Sequence, residues 1–353
     1  MKKKILFCSE NFYPDVGGVQ NHAKLICEFL IKNKYDVTVA TSFTPLRKRQ
    51  KINNIKIIDF KIKGNLINGY IGNIAKYQNM LLEKKYDYIF FYAAQQWTFD
   101  LAIPLIHKIN ARKIFMPCGF SKLNNILYFF YFKILSKKLK FFDKIVCFSK
   151  SYKDYLYCKK FYQKKIDIIF NAGFKYKKKI KIKKDKYLKI LNVGKFNYNK
   201  NQILLIFLAI FIKKKAKITF VFNNKNFYFY LLNILSKFVQ LFKKDKIFIF
   251  KYNLNKNKIL KLYKESDIFI FTSKVECSPL VLYDCCANLL PFISSDVGNA
   301  REIAKKYNNG TVYNGFFDLI SKTNSFNKYL HLKNFTTDFE WETQLLKYLK
   351  LLK

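Results

Sequence analysis

The stretch ESDIFIFTSKVECSPLVLYDCCANLLPFISSDVG, Glu265 to Gly298, holds the reading on which the fold turns. Its opening, SDIFIFTS, is rich in Ile and Phe and predicts a buried strand. Ser278 followed by Pro279 predicts a helix start, with the hydroxyl as N-cap and proline at the first helical position. PFISSD then predicts a second strand, so the stretch reads as a βαβ unit. Two carboxylates lie between the two strands. Glu276 falls in the strand-to-helix loop, and Asp284 about a turn and a half into the helix. A helix N-terminus presents unpaired N–H groups and a positive dipole end, which suit an anion. Open α/β sheets bind ligands at that edge, so this is half of a phosphate-and-sugar site in outline.

The same rhythm runs through the chain. KKILFCSE, YDVTVATS, YDYIFFYAA, ARKIFMPC and DKIVCFS predict short strands, and GVQNHAKLICEFLIKN an amphipathic helix between the first two. AGFKYKKKIKIKKDK, Ala172 to Lys186, is basic and poorly patterned and reads as a linker. The alternation restarts with YLKILNVGKF, KITFVFNN and KIFIFKYN. Two parallel-sheet domains in tandem, with a cleft between them, are expected. A final helix from about Phe339 carries Trp341, Leu345, Leu346, Leu349 and Leu352 at helical spacing, a stripe that must pack on something.

Composition bounds the function. At 353 residues, half of them hydrophobic, the chain is long enough for two cores. Its longest apolar run, ILLIFLAIFI from Ile203 to Ile212, is about half of a bilayer span. The N-terminus starts like a signal peptide, but its apolar part is short and acids follow at once, so neither secretion nor a membrane span is expected. The eight cysteines have no paired metal spacing and read as reduced thiols of a cytosolic protein. The formal charge of +43 invites a polyanion, yet the lysines are spread along the whole chain. A nucleic-acid footprint concentrates on one face, so compositional drift explains the charge better, then an anionic membrane surface, and no nucleic-acid partner is expected.

Two further stretches carry chemistry. In FYPDVGGVQNH, Phe12 to His22, Gly17 and Gly18 lie between the first strand and its helix, where bare backbone approaches an anion; His22 reads as a partly buried helix residue. In NVGKFNYNKNQ, Asn192 to Gln202, Lys195 and Lys200 sit in a loop after a strand and suit a diphosphate. Together with the opening stretch, YPDVGGVQNH, DKIVCFS, VGKFNYNKN and the tail FEWE, the sequence resembles the retaining nucleotide-sugar glycosyltransferases of family 4.

That resemblance implies the GT-B fold: two Rossmann-like α/β domains facing across a cleft, residues 1–175 on the acceptor side and 176–334 on the nucleotide-sugar side. Residues 335–353 would form a C-terminal helix crossing back to the first domain. It implies that Glu276 lies by the donor sugar and that Asp284, one methylene shorter than the usual glutamate, holds the ribose hydroxyls. Lys195, where an arginine is common, and Lys200 would face the diphosphate. Gly18 would let phosphate and acceptor approach, and N–H groups at Leu280 and Val281, with Ser278, would complete the donor site. Cys118, beside Gly119, stands where many members carry a histidine near the sugar.

The expected activity is transfer of a sugar from a nucleotide diphosphate sugar, UDP- or GDP-linked, to a hydroxyl of a cell-surface glycan or lipid-linked acceptor, with retained configuration. No metal is expected, since the chain lacks an Asp-x-Asp pair, and no cofactor beyond the sugar donor. NILYFFYFKILSKK, Asn125 to Lys138, mixes aromatics with lysines and reads either as a surface resting on the cytoplasmic face of a membrane or as a buried helix. The alternatives are a nucleotide-sugar epimerase of the same fold and a catalytically silent polyanion binder.

Overall fold

A computed structural model describes residues 2–15, 17–83, 85–178, 185–327 and 341–353. The chain divides into two compact units, Met1–Phe170 with Gln344–Lys353, and Asn171–Thr343. Each is an α/β unit on a mainly parallel sheet, as the alternation of apolar strands and amphipathic helices predicts.

In the first unit, β1 (Lys4–Cys8), β2 (Asp36–Ser42), β3 (Lys51–Ile52) and β4 (Ile55–Phe60) form one half of the sheet, while β5 (Lys63–Asn65) and β6 (Gly69–Ile71) make a separate hairpin. The other half is β7 (Tyr88–Tyr92), β8 (Arg112–Met116), β9 (Lys144–Cys147) and β10 (Asp167–Ile168). The order is β10-β9-β8-β7-β1-β2-β4-β3, with only β3 antiparallel to its neighbour. The helices α1 (Gly18–Lys32), α2 (Ile74–Leu82), α3 (Trp97–Asp100), α4 (Phe129–Lys138) and α5 (Lys153–Phe161) connect the strands. Central strands such as YIFFY are buried along their whole length, because helices cover both faces of a parallel sheet. On α1 the buried residues Ala23, Ile26, Cys27 and Leu30 follow the helical period, and the helix stops where Lys34 turns to φ 68°.

The second unit contains β11 (Leu188–Val193), β12 (Ala216–Phe222), β13 (Lys246–Tyr252), β14 (Ile268–Phe271), β15 (Phe292–Ser295) and β16 (Gly310–Tyr313), all parallel, in the order β13-β12-β11-β14-β15-β16. Its helices are α6 (Ile203–Phe211), α7 (Phe227–Phe242), α8 (Lys256–Glu265), α9 (Leu280–Ala287), α10 (Ala300–Tyr307) and α11 (Phe316–Ser325). The strand order reverses direction between β11 and β14, and ligand sites of open sheets lie outside the carboxyl ends at such a point. Asn192 Nδ2 ties the two strands there, donating to the Ile270 carbonyl at 2.8 Å.

Two sequence expectations are corrected here. Helix α9 starts at Leu280 with Pro279 as its N-cap, not with Ser278 capping and Pro279 inside. Pro279 has an extended ψ of 110°, which delays the helix by one residue, and the Ser278 hydroxyl instead meets Tyr283 Oη at 3.3 Å. Nor is AGFKY a loose linker. Ala172 is buried, and a Cβ on Gly173 would lie 2.1 Å from the Tyr283 carbonyl oxygen. The Phe174 and Tyr176 amides donate to Asp284 and Asn288 of the α9 region at 2.7 and 2.8 Å. Residues 179–184 of that stretch lie outside the described residues.

The last helix, α12, spans Trp341–Lys350, with Phe339 and Glu340 outside the described residues. Its buried stripe is shifted from the expected one. Trp341, Gln344, Leu345, Tyr348, Leu351 and Leu352 are buried, whereas Leu346 is 53% exposed. The cause is Tyr348, which packs edge-on against His22 of α1, while Tyr88 Oη donates to the Leu352 carbonyl. The C-terminal segment is thus part of the first unit, as a helix crossing back requires.

His22 itself is buried, with Nδ1 2.7 Å from Tyr92 Oη, and burial pushes its imidazole down to about 3. The unfolded chain takes a proton near pH 6.5 that the folded chain refuses. Stability is therefore present above pH 6.5 and lost as pH falls toward 3, by about 1.4 kcal/mol per pH unit. Urea unfolding of wild type and His22→Gln between pH 7.5 and 4.5 checks this. The wild type is expected to lose stability more steeply by that slope, and parallel curves would contradict the burial argument.

Candidate active site

The two lysines and Glu276 follow the two strands that flank the reversal point. β11 ends at Val193, and the next residues are fixed from within. Phe196 is buried and stacks on Phe222 with ring centroids 4.3 Å apart. Its amide donates to Asn224 Oδ1 at 2.8 Å. With Phe196 turned inward, Lys195 is left exposed, its carbonyl held by Gln202 Nε2 at 2.9 Å. The chain then makes a single tight turn over Tyr198–Lys200, capped by Asn197 Oδ1, which accepts from the Lys200 amide at 2.9 Å.

Lys200 and Glu276 form an ion pair, Nζ to Oε1, across the two loops. Ser273 Oγ donates to the same carboxylate oxygen at 2.7 Å. The loops are stitched together by backbone as well. The Lys274 amide donates to the Asn199 carbonyl at 2.7 Å, and Thr272 Oγ1 to the Lys200 carbonyl at 2.9 Å. On the other side, Gly298 has φ 56°, and a Cβ there would lie 2.3 Å from the Cys277 carbonyl oxygen. The Asn299 amide donates to that same carbonyl at 3.0 Å. Glu276 is therefore held on a loop braced from both flanks, four residues ahead of the first turn of α9. Leu280 and Val281 open that helix, where N–H groups of the first turn lack intrahelical acceptors.

Asp284 has different company. Its Oδ1 accepts from the Phe174 amide at 2.7 Å. Burial pushes its carboxyl up to about 6, opposed by the nearby Lys256 ammonium. Lys256, at the start of α8, is itself pushed down to about 8 by burial and lies over the Phe174 ring. The second unit thus gathers Lys200, Glu276 and Ser273 at the reversal point, while Asp284 of α9 and Lys256 of α8 meet around Phe174. Lys256 and Ser273 were not singled out from the sequence. The first is one lysine among very many, and the second is an ordinary strand-end serine until the fold sets it beside Glu276.

The remaining predicted residues lie in the first unit. Gly18 is the first residue of α1, after Gly17 in extended conformation. Cys118 and Gly119 follow β8, both in the left-handed region at φ 56° and 96°. Gly119 donates its amide to Asp154 Oδ2 at 2.9 Å. Burial pushes the Cys118 thiol up, and Cys118 and His22 share Tyr92 as a neighbour, so neither is an exposed nucleophile or base. On α4, Tyr131, Phe132 and Leu135 are buried, while Phe129, Phe130 and Ile134, and Ile126 and Leu127 just ahead, are exposed. Among the described residues, no three His, Cys, Asp or Glu side chains gather into a group able to hold a metal ion. No helix of the described residues is long and apolar enough to cross a membrane.

Comparison with known proteins defines the class. A family profile described as glycosyl transferases group 1 matches residues 174–340, and one described as glycosyltransferase family 4 matches residues 16–172. Between them they span nearly the whole sequence, and the chain belongs to this glycosyltransferase family; its chemistry is sugar transfer. No curated protein matches the sequence. Among solved structures, the chain is similar to a glycosyltransferase from Rickettsia africae ESF-5, with a TM-score of 0.73 and 18% identity over 100% of this chain and 99% of that one. It is also similar to HepE of Anabaena in complex with UDP, with a TM-score of 0.74 and 14% identity over 100% and 99%. Sucrose-phosphate synthase from Thermosynechococcus elongatus gives a TM-score of 0.72 and 14% identity over 99% and 98%. These likenesses establish the GT-B fold.

Proposed function

We propose that this chain transfers a sugar from a nucleotide diphosphate sugar, UDP- or GDP-linked, to a hydroxyl of a cell-surface glycan or a lipid-linked acceptor, retaining the anomeric configuration. The Lys200–Glu276 pair at the sheet's reversal point, just ahead of the α9 N-terminus, carries this reading. A cation and a helix N-terminus on adjoining loops suit a diphosphate, and a carboxylate beside them suits sugar hydroxyls. HepE, which shares the fold, has been solved with UDP and with UDP-glucose.

In the reaction, the bond from the anomeric carbon to the diphosphate oxygen breaks, and its electron pair goes to the diphosphate. Lys200, Lys195 and the Leu280 and Val281 amides stabilise that charge as it develops. The acceptor oxygen forms its bond to the anomeric carbon on the same face, and its proton passes to a phosphate oxygen. Glu276 orients the donor sugar and holds Lys200 in place. Asp284 accepts from the ribose hydroxyls through the oxygen that Phe174 leaves open. Positive charge from lysines and amides fills the role that a metal would otherwise have, so activity is expected to survive chelators. The exposed aromatics of α4, interleaved with lysines, support a position at the cytoplasmic face of a membrane.

Thermal unfolding with UDP, GDP, ADP and CMP and their sugar conjugates, without magnesium, tests this. One nucleotide at a hundred times its dissociation constant is expected to stabilise the protein by about 2.7 kcal/mol. The gain is expected to shrink below about pH 6, as Asp284 takes up its proton. Stabilisation by polyanions but by no nucleotide would favour a silent binder instead. Donor turnover that yields an isomerised nucleotide sugar, with no acceptor present, would favour an epimerase.

A further inference from the structure

Helix α7 of the second unit has two apolar faces, and among the described residues only one of them is buried. Leu232, Ser236 and Val239 are buried on the inner side. Seven positions of α7 are exposed: Phe227, Tyr230, Ile234, Lys237, Phe238, Leu241 and Phe242. All but Lys237 are large and apolar, and they recur at three- and four-residue spacing, a single stripe along the outside of the helix. Phe227 is 83% exposed and Leu241 72%. On α6, Phe207 and Phe211 are exposed as well, Phe211 against Phe316 of α11. A contiguous apolar surface of this kind marks an interaction site.

We infer that the outward face of α7 is a docking surface for an anionic lipid bilayer. The charge around it selects that occupant. From Lys225 to Lys244 there is no acidic residue, and Lys225, Lys237, Lys243 and Lys244 are all exposed along and beyond the helix. The nearest acid, Asp245, is paired with Lys246. Exposed Lys213 and Lys215 follow α6. A second copy of this chain would set lysine against lysine across the stripe, and the net charge of +43 opposes self-association further. A single convex helix also offers no recess for a protein segment, whereas a deformable interface of acyl chains and anionic headgroups accepts both the rings and the ammonium groups. This surface belongs to the second unit and is separate from α4; it stands whether or not the chain transfers sugar.

The test uses the full chain with vesicles of phosphatidylcholine alone or mixed with phosphatidylglycerol. Both native tryptophans, Trp97 and Trp341, are buried, so Phe238→Trp adds an indole that reports on the α7 face. Its fluorescence is expected to shift to the blue and to be quenched by brominated lipid with phosphatidylglycerol vesicles, and neither with phosphatidylcholine alone. Vesicle affinity is expected to fall about tenfold or more in Ile234→Glu/Phe238→Glu, and to weaken in high salt. Should that variant fail to fold, Lys237→Glu/Lys243→Glu/Lys244→Glu, which keeps every apolar side chain, is expected to lose the preference for phosphatidylglycerol. An added indole that stays unquenched while the protein binds vesicles would overturn the inference and leave α4 as the anchor. So would a lipid-free dimer that Ile234→Glu/Phe238→Glu converts to monomer, since the face would then belong to a second copy.

Discussion

Lys200→Ala and Glu276→Gln are each expected to lower release of nucleotide diphosphate from the donor by about a hundredfold to a thousandfold. The expectation comes from where the two side chains stand. They close an ion pair between the loops that follow β11 and β14, where the strand order reverses. Removing the ammonium takes positive charge from the departing diphosphate and leaves Glu276 with Ser273 as its donor. Removing the carboxylate's charge frees Lys200 to swing away from that position. Because each group positions the other, the double variant is expected to lose little more than either single one. Initial rates for the two single variants and the double variant decide it. Single variants within about threefold of wild type would reduce the pair to a loop clasp with no part in the reaction.

The second large effect is structural. Gly173→Ala is expected to destabilise the second unit by about 3 kcal/mol, because the new methyl would meet backbone rather than a movable side chain. The three nearest atoms are the Tyr283 oxygen at 2.1 Å, the Tyr283 carbon at 2.4 Å and the Asp284 nitrogen at 2.7 Å. Relief requires α9 to back away from the 171–176 segment. That movement breaks the Phe174–Asp284 hydrogen bond and displaces the acid proposed to hold the ribose. Thermal unfolding should show a midpoint lower by about 10 °C, together with weakened nucleotide stabilisation. A midpoint within about two degrees of wild type would mean that the two segments part at little cost.

Much of this was legible in the sequence because it depends on period and place. Short apolar strands alternating with helical lengths leave few options beyond parallel sheets. Lys200 and Glu276 stand just after strands, so their meeting follows once those strands are neighbours. What stayed hidden depends on three-dimensional company. Ser278–Pro279 has the composition of a helix start, but Tyr283 engages the serine hydroxyl and the proline stays extended. The α12 stripe is misread if only leucines are counted, since the buried tyrosine at 348 outranks the leucine at 346. Lys256 is lost among lysines until the fold sets it beside Asp284. The run from Phe227 to Phe242 is apolar on nearly every face, so periodicity gives no hint of which side meets the core.

The return of the final helix to the first unit bears on how the chain is made. Tyr348, Leu351 and Leu352 are core residues of the unit whose strands are translated first. Arg112 also donates to the carbonyl of Lys353 at 3.1 Å. During synthesis, β1 and β7 therefore leave the ribosome long before the side chains that cover His22 and Tyr88 exist. The second unit can complete its own core from residues already emerged, while the first must wait with an uncovered patch until α12 follows. The α12 segment is thus a late seal: a chain cut short ahead of it leaves open the unit that was begun first.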